Sequence, residues 1–242
     1  MRMRPVRLNS AVGSLFVVGS ACFVLGSVPA YLNAVGGTAD GVTYFVGSLF
    51  FTAASLLQLL QAQTPAMTGA DAASEHVPAP VWMWAWLPGD RNWLAAMTQF
   101  PGTIFFNAST LAALVHNATA ASTDRHVWRP DMFGSTLFLV SSAFGILVVD
   151  GFRTFRPRSP TWRIAWLNMA GSIFFMASAV TSFVIPDTGE LVNVRISIAG
   201  TLLGAVCFLI GAVLMFPAWR SATSGGSVPG GPLPVREELP GP

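Results

Sequence analysis

Six stretches of this chain contain no Asp, Glu, Lys or Arg, and each is about as long as a helix that crosses a bilayer. They cover residues 9–32, 42–61, 93–116, 132–149, 164–185 and 196–216. Crossing roughly 30 Å of hydrocarbon takes about 20 helical residues. The apolar residues run continuously instead of alternating, which excludes the pattern of a membrane β-barrel strand. The sequence therefore predicts an all-α, polytopic membrane protein with six transmembrane helices.

The composition agrees with a protein whose solvent is lipid. Hydrophobic residues make up 52% of the 242 residues, charged residues only 10%, and the mean hydropathy is +0.57. Because a soluble domain carries about 25% charged residues, these charges are too few to coat a water-facing surface. All 13 basic residues are arginines, and they form no continuous stripe. The predicted partner is therefore the lipid bilayer and not a nucleic acid.

A short octapeptide recurs along the chain and predicts an internal repeat. Its three closest copies are GSLFVVGS (13–20), GTIFFNAS (102–109) and GSIFFMAS (171–178), each in an odd-numbered window. Looser copies begin at Gly47, Gly134 and Gly200 in the even-numbered windows. Self-similarity of this kind is typical of a repeat architecture. We predict three tandem, parallel helical hairpins at about 9–61, 93–149 and 164–216, arranged around an axis along the membrane normal.

The predicted membrane domain spans residues 1–216 and contains one long link. Residues 62–90 join the first hairpin to the second, are rich in Ala, Pro and Thr, and end in a Trp-rich run typical of a membrane interface. Residues 217–242 are rich in Gly and Pro and poor in apolar side chains. We therefore predict a disordered cytoplasmic tail after the last helix.

The arginines predict the orientation. With six spans, ten arginines fall on the side that holds both termini and the 62–90 link, whereas Arg125, Arg129 and Arg195 fall on the other. Arginine-rich loops stay in the cytoplasm. The prediction is a multi-pass protein of the cell (plasma) membrane with both termini cytoplasmic.

The polar residues match no pattern of an enzyme, a cofactor site or a metal centre. His76, His116 and His126 lack a second histidine at ligand spacing within a span, and Cys22 and Cys207 form no CxxC. Nucleophile motifs, P-loops and dinucleotide-binding loops are missing from the sequence. We therefore predict a non-enzymatic protein with no catalytic residue, no cofactor and no metal.

Five polar residues are the candidate functional positions. Asn107 lies deep in a span, where its amide needs a partner, either another helix or a ligand. Asp150 directly follows the fourth window and lies three residues before Arg153, which favours an interfacial ion pair over a gating role. Ser20, Ser109 and Ser178 end the three octapeptides, each seven residues after a Gly on the same helix face. Such small residues let helices pack closely, and their hydroxyls could instead line a polar path.

The hairpins with a Gly-Ser-x-Phe octapeptide in each helix, such as GSIFFMAS at 171–178, and with Trp at the borders resemble the YrhK-like membrane proteins. This bacterial group has no known function. The resemblance covers most of residues 9–216 and implies a bacterial inner-membrane location.

Two functions follow as hypotheses. The uncharged helices favour a non-enzymatic scaffold or interaction protein that contacts itself or another membrane protein. The threefold repeat favours the alternative, an uncoupled transporter or channel for a small neutral or apolar solute. A water-filled centre lined by Ser20, Ser109 and Ser178 is the structural feature expected of the alternative.

Overall fold

The computed structural model describes residues 2–3, 5–64, 79–80, 82–115, 120–185 and 187–225, which are almost entirely helical. The helices are α1 (Pro5–Gly26), α2 (Pro29–Val35), α3 (Gly37–Ala62), α4 (Arg91–Val115), α5 (Ala120–Thr123), α6 (Arg129–Val148), α7 (Pro160–Thr181) and α8 (Val194–Gly225). A π-helical turn, Asp124–Trp128, joins α5 to α6. Two-residue strands β1 (Arg2–Met3) and β2 (Ala79–Pro80) pair antiparallel.

Five helices of the described residues are long and apolar enough to cross a membrane. They comprise Arg7–Gly26, Gly37–Ala62, Asp124–Val148, Pro160–Thr181 and Val194–Ala218. These helices identify a multi-pass membrane protein, which confirms the coarse prediction from the sequence. Helix α4 has 25 residues, enough to cross, but is less apolar than the other five because residues such as Gln99 and Asn107 interrupt its hydrophobic surface.

Local sequence signals set the helix ends. The Asp90 carboxylate accepts hydrogen bonds from the backbone N–H groups of Asn92 (2.8 Å) and Trp93 (3.3 Å) and so caps the start of α4. Ser159 caps α7, whose first residue is a proline. At the end of α6, Asp150 and Gly151 both adopt positive φ (77° and 80°), and the Gly151 N–H bonds back to Ile146 O.

The six long helices form a closed ring. Helix α1 packs against α3, α3 against α4, α4 against α6, α6 against α7 and α7 against α8, and α8 returns to α1. Each long helix therefore has two long neighbours. Successive long helices run antiparallel, so the links between them alternate between the two ends of the ring.

Six phenylalanines fill the centre of this ring. Phe51 of α3, Phe138 of α6 and Phe208 of α8 form a closed triangle with ring centroids 5.7 to 6.3 Å apart. One further ring from each of α1, α4 and α7 packs edge-on or tilted against this triangle, in the pairs Phe23–Phe51 (5.7 Å), Phe106–Phe138 (5.1 Å) and Phe175–Phe208 (5.3 Å). All six side chains are buried. At this level the space between the helices is occupied by aromatic rings.

The predicted ends of the membrane domain need one change. Helix α8 continues to Gly225, so residues 217–225 are helical and not the disordered tail that their Gly and Pro content predicted. Pro217 lies within this helix. The rest of the predicted tail, residues 226–242, falls outside the described residues.

Most of the predicted link also falls outside the described residues, but its Trp-rich end is described. Trp82, Met83, Trp84 and Trp86 are all exposed, up to 77% for Trp84. The Trp82 backbone bonds to the end of α3, where its N–H donates to Thr64 Oγ1 (3.0 Å) and its carbonyl accepts from Gln63 Nε2 (2.9 Å). The Trp-rich run is therefore anchored at one end of the ring.

Removing one ring of the triangle should destabilise the fold strongly. Phe138→Ala removes a side chain that is only 2% exposed, whereas Phe133→Ala, on the same helix, truncates one that is 59% exposed. We expect Phe138→Ala to lower the free energy of unfolding by about 3 kcal/mol through lost packing and a cavity. Phe133→Ala should lower it by less than about 1 kcal/mol. Unfolding by SDS in bicelles, followed by circular dichroism, measures both; equal losses would contradict a packed aromatic centre.

Candidate functional site

Each long helix carries a glycine that is followed four residues later by one of the six core phenylalanines. The pairs are Gly19 and Phe23, Gly47 and Phe51, Gly102 and Phe106, Gly134 and Phe138, Gly171 and Phe175, and Gly204 and Phe208. Residues four apart lie on the same helix face. The glycine and the phenylalanine therefore act together at each contact between helices.

The glycines let two helix backbones meet. A Cβ added to Gly19 would lie 2.7 Å from the Phe51 ring and 3.0 Å from the Gly47 carbonyl oxygen. A Cβ on Gly47 would lie 3.0 Å from the Phe23 ring and 3.1 Å from the Gly19 oxygen. Each phenylalanine thus covers the glycine of the neighbouring helix, and the contact is reciprocal.

The same arrangement occurs in two further helix pairs. Between α7 and α8, a Cβ on Gly204 would overlap the Phe175 ring and lie 3.0 Å from the Gly171 oxygen. Between α4 and α6, a Cβ on Gly134 would lie 3.1 Å from the Gly102 oxygen. Any side chain at these glycines would push apart helices that now pack backbone to backbone.

The residue after each of these glycines is small and almost completely buried. Ser20, Ser48, Thr103, Ser135, Ser172 and Ala205 are each exposed by 1% or less. Close approach of the backbones therefore buries both the central phenylalanines and the small side chain that follows each glycine. The pattern common to the six helices is Gly, a small residue, two variable residues and Phe.

This geometry corrects the alignment of two octapeptides. In the structure Gly19, not Gly13, takes the place that Gly102 and Gly171 take in α4 and α7, and Gly204, not Gly200, takes it in α8. The copies at Gly47 and Gly134 were aligned as the structure has them. The signal that would have found the right frame was a phenylalanine four residues after the glycine.

The three serine candidates consequently do not form one set. Ser20 follows its glycine directly, whereas Ser109 and Ser178 come seven residues after theirs, which is about 9 Å further along a helix. Ser109 Oγ donates to Val127 O, and Ser178 Oγ donates to Ser197 O, both at 2.8 Å. Ser20 Oγ has no hydrogen-bond partner among the described residues. The structure therefore assigns Ser109 and Ser178 to helix packing and does not bring them to one level with Ser20.

Hydroxyl and amide side chains link helices of neighbouring pairs. Asn107 Nδ2 of α4 donates to Thr52 Oγ1 of α3 at 2.8 Å, and the hydroxyls of Ser48 and Thr110 lie 3.0 Å apart one turn away. On the next interface, the hydroxyls of Ser142 (α6) and Ser172 (α7) lie 2.8 Å apart in a buried position. Asn107 thus bonds to a neighbouring helix, which is one of the two partners predicted for its amide. Its Oδ1 is buried without a partner within the described chain.

Asp150 forms an ion pair, but with Arg156 and not with Arg153, the nearest arginine in sequence. The Arg156 guanidinium lies 3.0 Å from Asp150 Oδ2. The left-handed turn at Asp150 reverses the chain after α6, so the arginine six residues on reaches the carboxylate. The pair is largely exposed and holds the link between α6 and α7.

The described residues contain no group of three His, Cys, Asp or Glu side chains placed to hold a metal ion. Cys22 and Cys207 are free thiols, and the ring of His126 is exposed and bonds to Ser122. Comparison of the chain with protein-family models, with curated proteins and with solved structures finds no match.

The glycine contacts predict a sharp difference between two glycines of α6. A Cβ on Gly145 would meet no atom within 4 Å, whereas a Cβ on Gly134 would meet the α4 backbone. We expect Gly134→Val to lower the free energy of unfolding by about 2 kcal/mol through overpacking. Gly145→Val, with the same intrinsic change in helix propensity, should change it by less than about 0.5 kcal/mol. If SDS unfolding gives both variants the same stability, the close approach at Gly134 is wrong.

The bond between Asn107 and Thr52 should contribute little to stability. A double-mutant cycle with Asn107→Leu and Thr52→Val isolates the coupling between the two side chains. We expect about 0.6 kcal/mol, the size typical of hydrogen bonds between helices within a membrane. The cycle uses the same SDS titration, and a coupling of zero would show that the two side chains do not meet.

Proposed function

We propose that this chain is a non-enzymatic scaffold or interaction protein whose six long helices all cross one membrane as three tandem hairpins. The observation that carries the proposal is the aromatic centre, where six phenylalanines occupy the space between the helices. Since the centre is occupied, contacts with other molecules must form on the outer faces or at the two ends of the ring.

The proposal makes α4 the sixth span. Its 25 residues correspond to roughly 37 Å of helix, more than the hydrocarbon thickness. It lies in the ring between two membrane-length helices and shares their contacts. Its most polar side chain, Asn107, bonds to α3, which lowers the cost of placing the amide in lipid.

The reciprocal glycine and phenylalanine contacts support the hairpin repeat. They join α1 to α3, α4 to α6 and α7 to α8, the three pairs of the proposed unit. The bonds from Ser109 to Val127 and from Ser178 to Ser197 join equivalent positions, seven residues after one glycine and seven before the other. In the first hairpin Gly26 takes the serine's place, and no hydroxyl is available there.

The charges support an orientation with both termini cytoplasmic. Among the residues whose side chains the structure describes, one end of the ring holds six arginines and two aspartates, whereas the other holds three arginines and five acidic residues. An excess of arginine is typical of the cytoplasmic side. Together with the resemblance to the YrhK-like proteins, this excess supports our proposal of a bacterial inner-membrane location.

In the described part of the chain, the alternative, an uncoupled channel or transporter, lacks the structural feature expected of it, a water-filled centre lined by Ser20, Ser109 and Ser178. Ser109 and Ser178 donate to backbone carbonyls of the partner helix, and Ser20 lies at a different level. A path along the axis would also have to displace the rings of Phe51, Phe138 and Phe208. We therefore propose no solute pathway through the centre.

Cysteine labelling tests the number of spans and the orientation. In a chain with Cys22→Ala and Cys207→Ala, single cysteines replace the exposed residues Met83, Arg125 and Phe155 in turn. We expect a membrane-impermeant maleimide to label Arg125→Cys in intact cells and the other two only after cell lysis. Equal labelling of Met83→Cys and Arg125→Cys in intact cells would mean that α4 does not cross.

Reconstitution separates the scaffold from the channel. Vesicles that contain the purified full chain should show the same glycerol and water permeability in stopped-flow light scattering as protein-free vesicles. A permeability several times higher, reduced by substitution of a larger residue for Ser20, would overturn the scaffold proposal in favour of the alternative.

A further inference from the structure

The loop after α6 and the first turn of α7 together form residues 150–163, here called the 150–163 link, in which arginines alternate with aromatic rings. Its sequence DGFRTFRPRSPTWR contains four arginines, two phenylalanines and one tryptophan. Arg153, Arg156, Arg158 and Arg163 are all exposed, and Phe155 is 78% exposed. A water-facing loop has no need for such exposed rings, whereas the headgroup region of a bilayer favours aromatic side chains.

Bonds within the link hold this surface in one shape. The Trp162 indole N–H donates to Thr154 O at 2.8 Å, and Thr154 Oγ1 donates to Asp150 O at 2.9 Å. The Phe155 ring packs edge-on against Trp162 with centroids 5.3 Å apart, and Trp162 packs in turn on Trp166 at 5.7 Å. The arginines therefore project from a braced loop, so binding would cost little additional ordering.

Three arginines of this segment, Arg153, Arg158 and Arg163, are exposed and form no ion pair with an acidic residue in the described part of the chain. Arg156 is paired with Asp150. Arg153 and Arg158 lie in the loop itself, whereas Arg163 belongs to the first turn of α7. Arg153 and Arg158 both lie at the end of the ring where, among the described side chains, arginines outnumber acidic residues six to two. Guanidinium groups bind phosphate oxygens through paired N–H donors.

We propose that the 150–163 link is a binding site for the phosphate of an anionic phospholipid headgroup, with Arg153 and Arg158 as its ligands. The exposed Phe152 and Phe155 rings would lie at the headgroup boundary and keep the loop at the depth of the phosphates. The site deepens the proposed function and rests on its insertion in a membrane, because it names the lipid class that one end of the protein contacts.

Native mass spectrometry tests the site on the full chain in detergent. The purified protein is mixed with equal amounts of phosphatidylglycerol and phosphatidylcholine of matched chains, and the bound fractions are compared. We expect phosphatidylglycerol to bind at least fivefold more tightly, and the double variant Arg153→Gln/Arg158→Gln to abolish most of this preference. Equal binding of the two lipids to the unmodified chain would overturn the proposal.

The chain offers a matched control at its other end. Arg125 and Arg195 are also exposed and unpaired in the described chain. Arg125→Gln/Arg195→Gln removes the same net charge and should leave the preference for phosphatidylglycerol unchanged; an equal loss would overturn a specific site in favour of net charge. An excess of inorganic phosphate should not displace the lipid, because the rings contact only a lipid surface. Displacement would assign the arginines to free phosphate instead.

Circular dichroism and SDS unfolding of both double variants show whether the fold is intact. A loss of lipid binding can then be distinguished from a loss of structure. The experiment also separates the two proposals. Cysteine labelling that placed α4 outside the membrane would overturn the six-span topology, while the lipid preference measured in detergent would stand or fall by itself.

Discussion

Close approach of helix backbones at three pairs of glycines is the contact on which the rest of this structure depends. Between lipid-dissolved helices, burial of apolar surface contributes little, because lipid tails are as apolar as leucine. Stability then depends on the number of atoms in contact, and a glycine lets two backbones and one ring meet within van der Waals distance. At Gly47, the Gly19 oxygen lies 3.1 Å from the place of a Cβ, so even alanine would move the helices apart.

The phenylalanine centre follows from that approach. Each ring covers the glycine of the neighbouring helix, which directs all six rings toward the axis at one level. Edge-on contacts such as Phe106–Phe138, with centroids at 5.1 Å, use the ring quadrupoles favourably. The cluster is closed because the last helix, α8, packs against the first, α1, and Phe208 of α8 thereby contacts Phe51 of α3.

The sequence predicted the helices well because a long, charge-free apolar segment in lipid must pair its backbone polar groups internally, and a helix does so within the segment. Five of the six windows correspond to helices that are both long and apolar enough to cross a membrane, and the short window at 132–149 coincides with α6 up to Val148. The end of α8 was harder to predict. Gly and Pro favour disorder in water, but a helix that is already formed can continue past Pro217 to Gly225.

The alignment of the repeats failed for a specific physical reason. Gly and Ser are common in membrane helices, so Gly13-Ser14 and Gly200-Thr201 match the octapeptide without making its contact. What the packing requires is a ring four residues after the glycine, on the same face, and Phe23 and Phe208 meet that requirement from Gly19 and Gly204. The four-residue spacing from Gly to Phe, which helix geometry requires, locates the contact, whereas the similarity of the octapeptide sequences does not.

The polar side chains fall into two groups, those that form hydrogen bonds between helices and those that lie at the ends of the ring. Ser109 and Ser178 find carbonyls of the next helix, and Asn107 finds Thr52, so each is used in joining helices. The charged side chains are instead concentrated at the ends, where water and headgroups solvate them. Because the centre is filled with rings, the chemistry available to other molecules lies at those ends. Within the described structure, the arginine-rich 150–163 link combines positive charge with a shape held by internal bonds, and both favour binding of an anionic molecule.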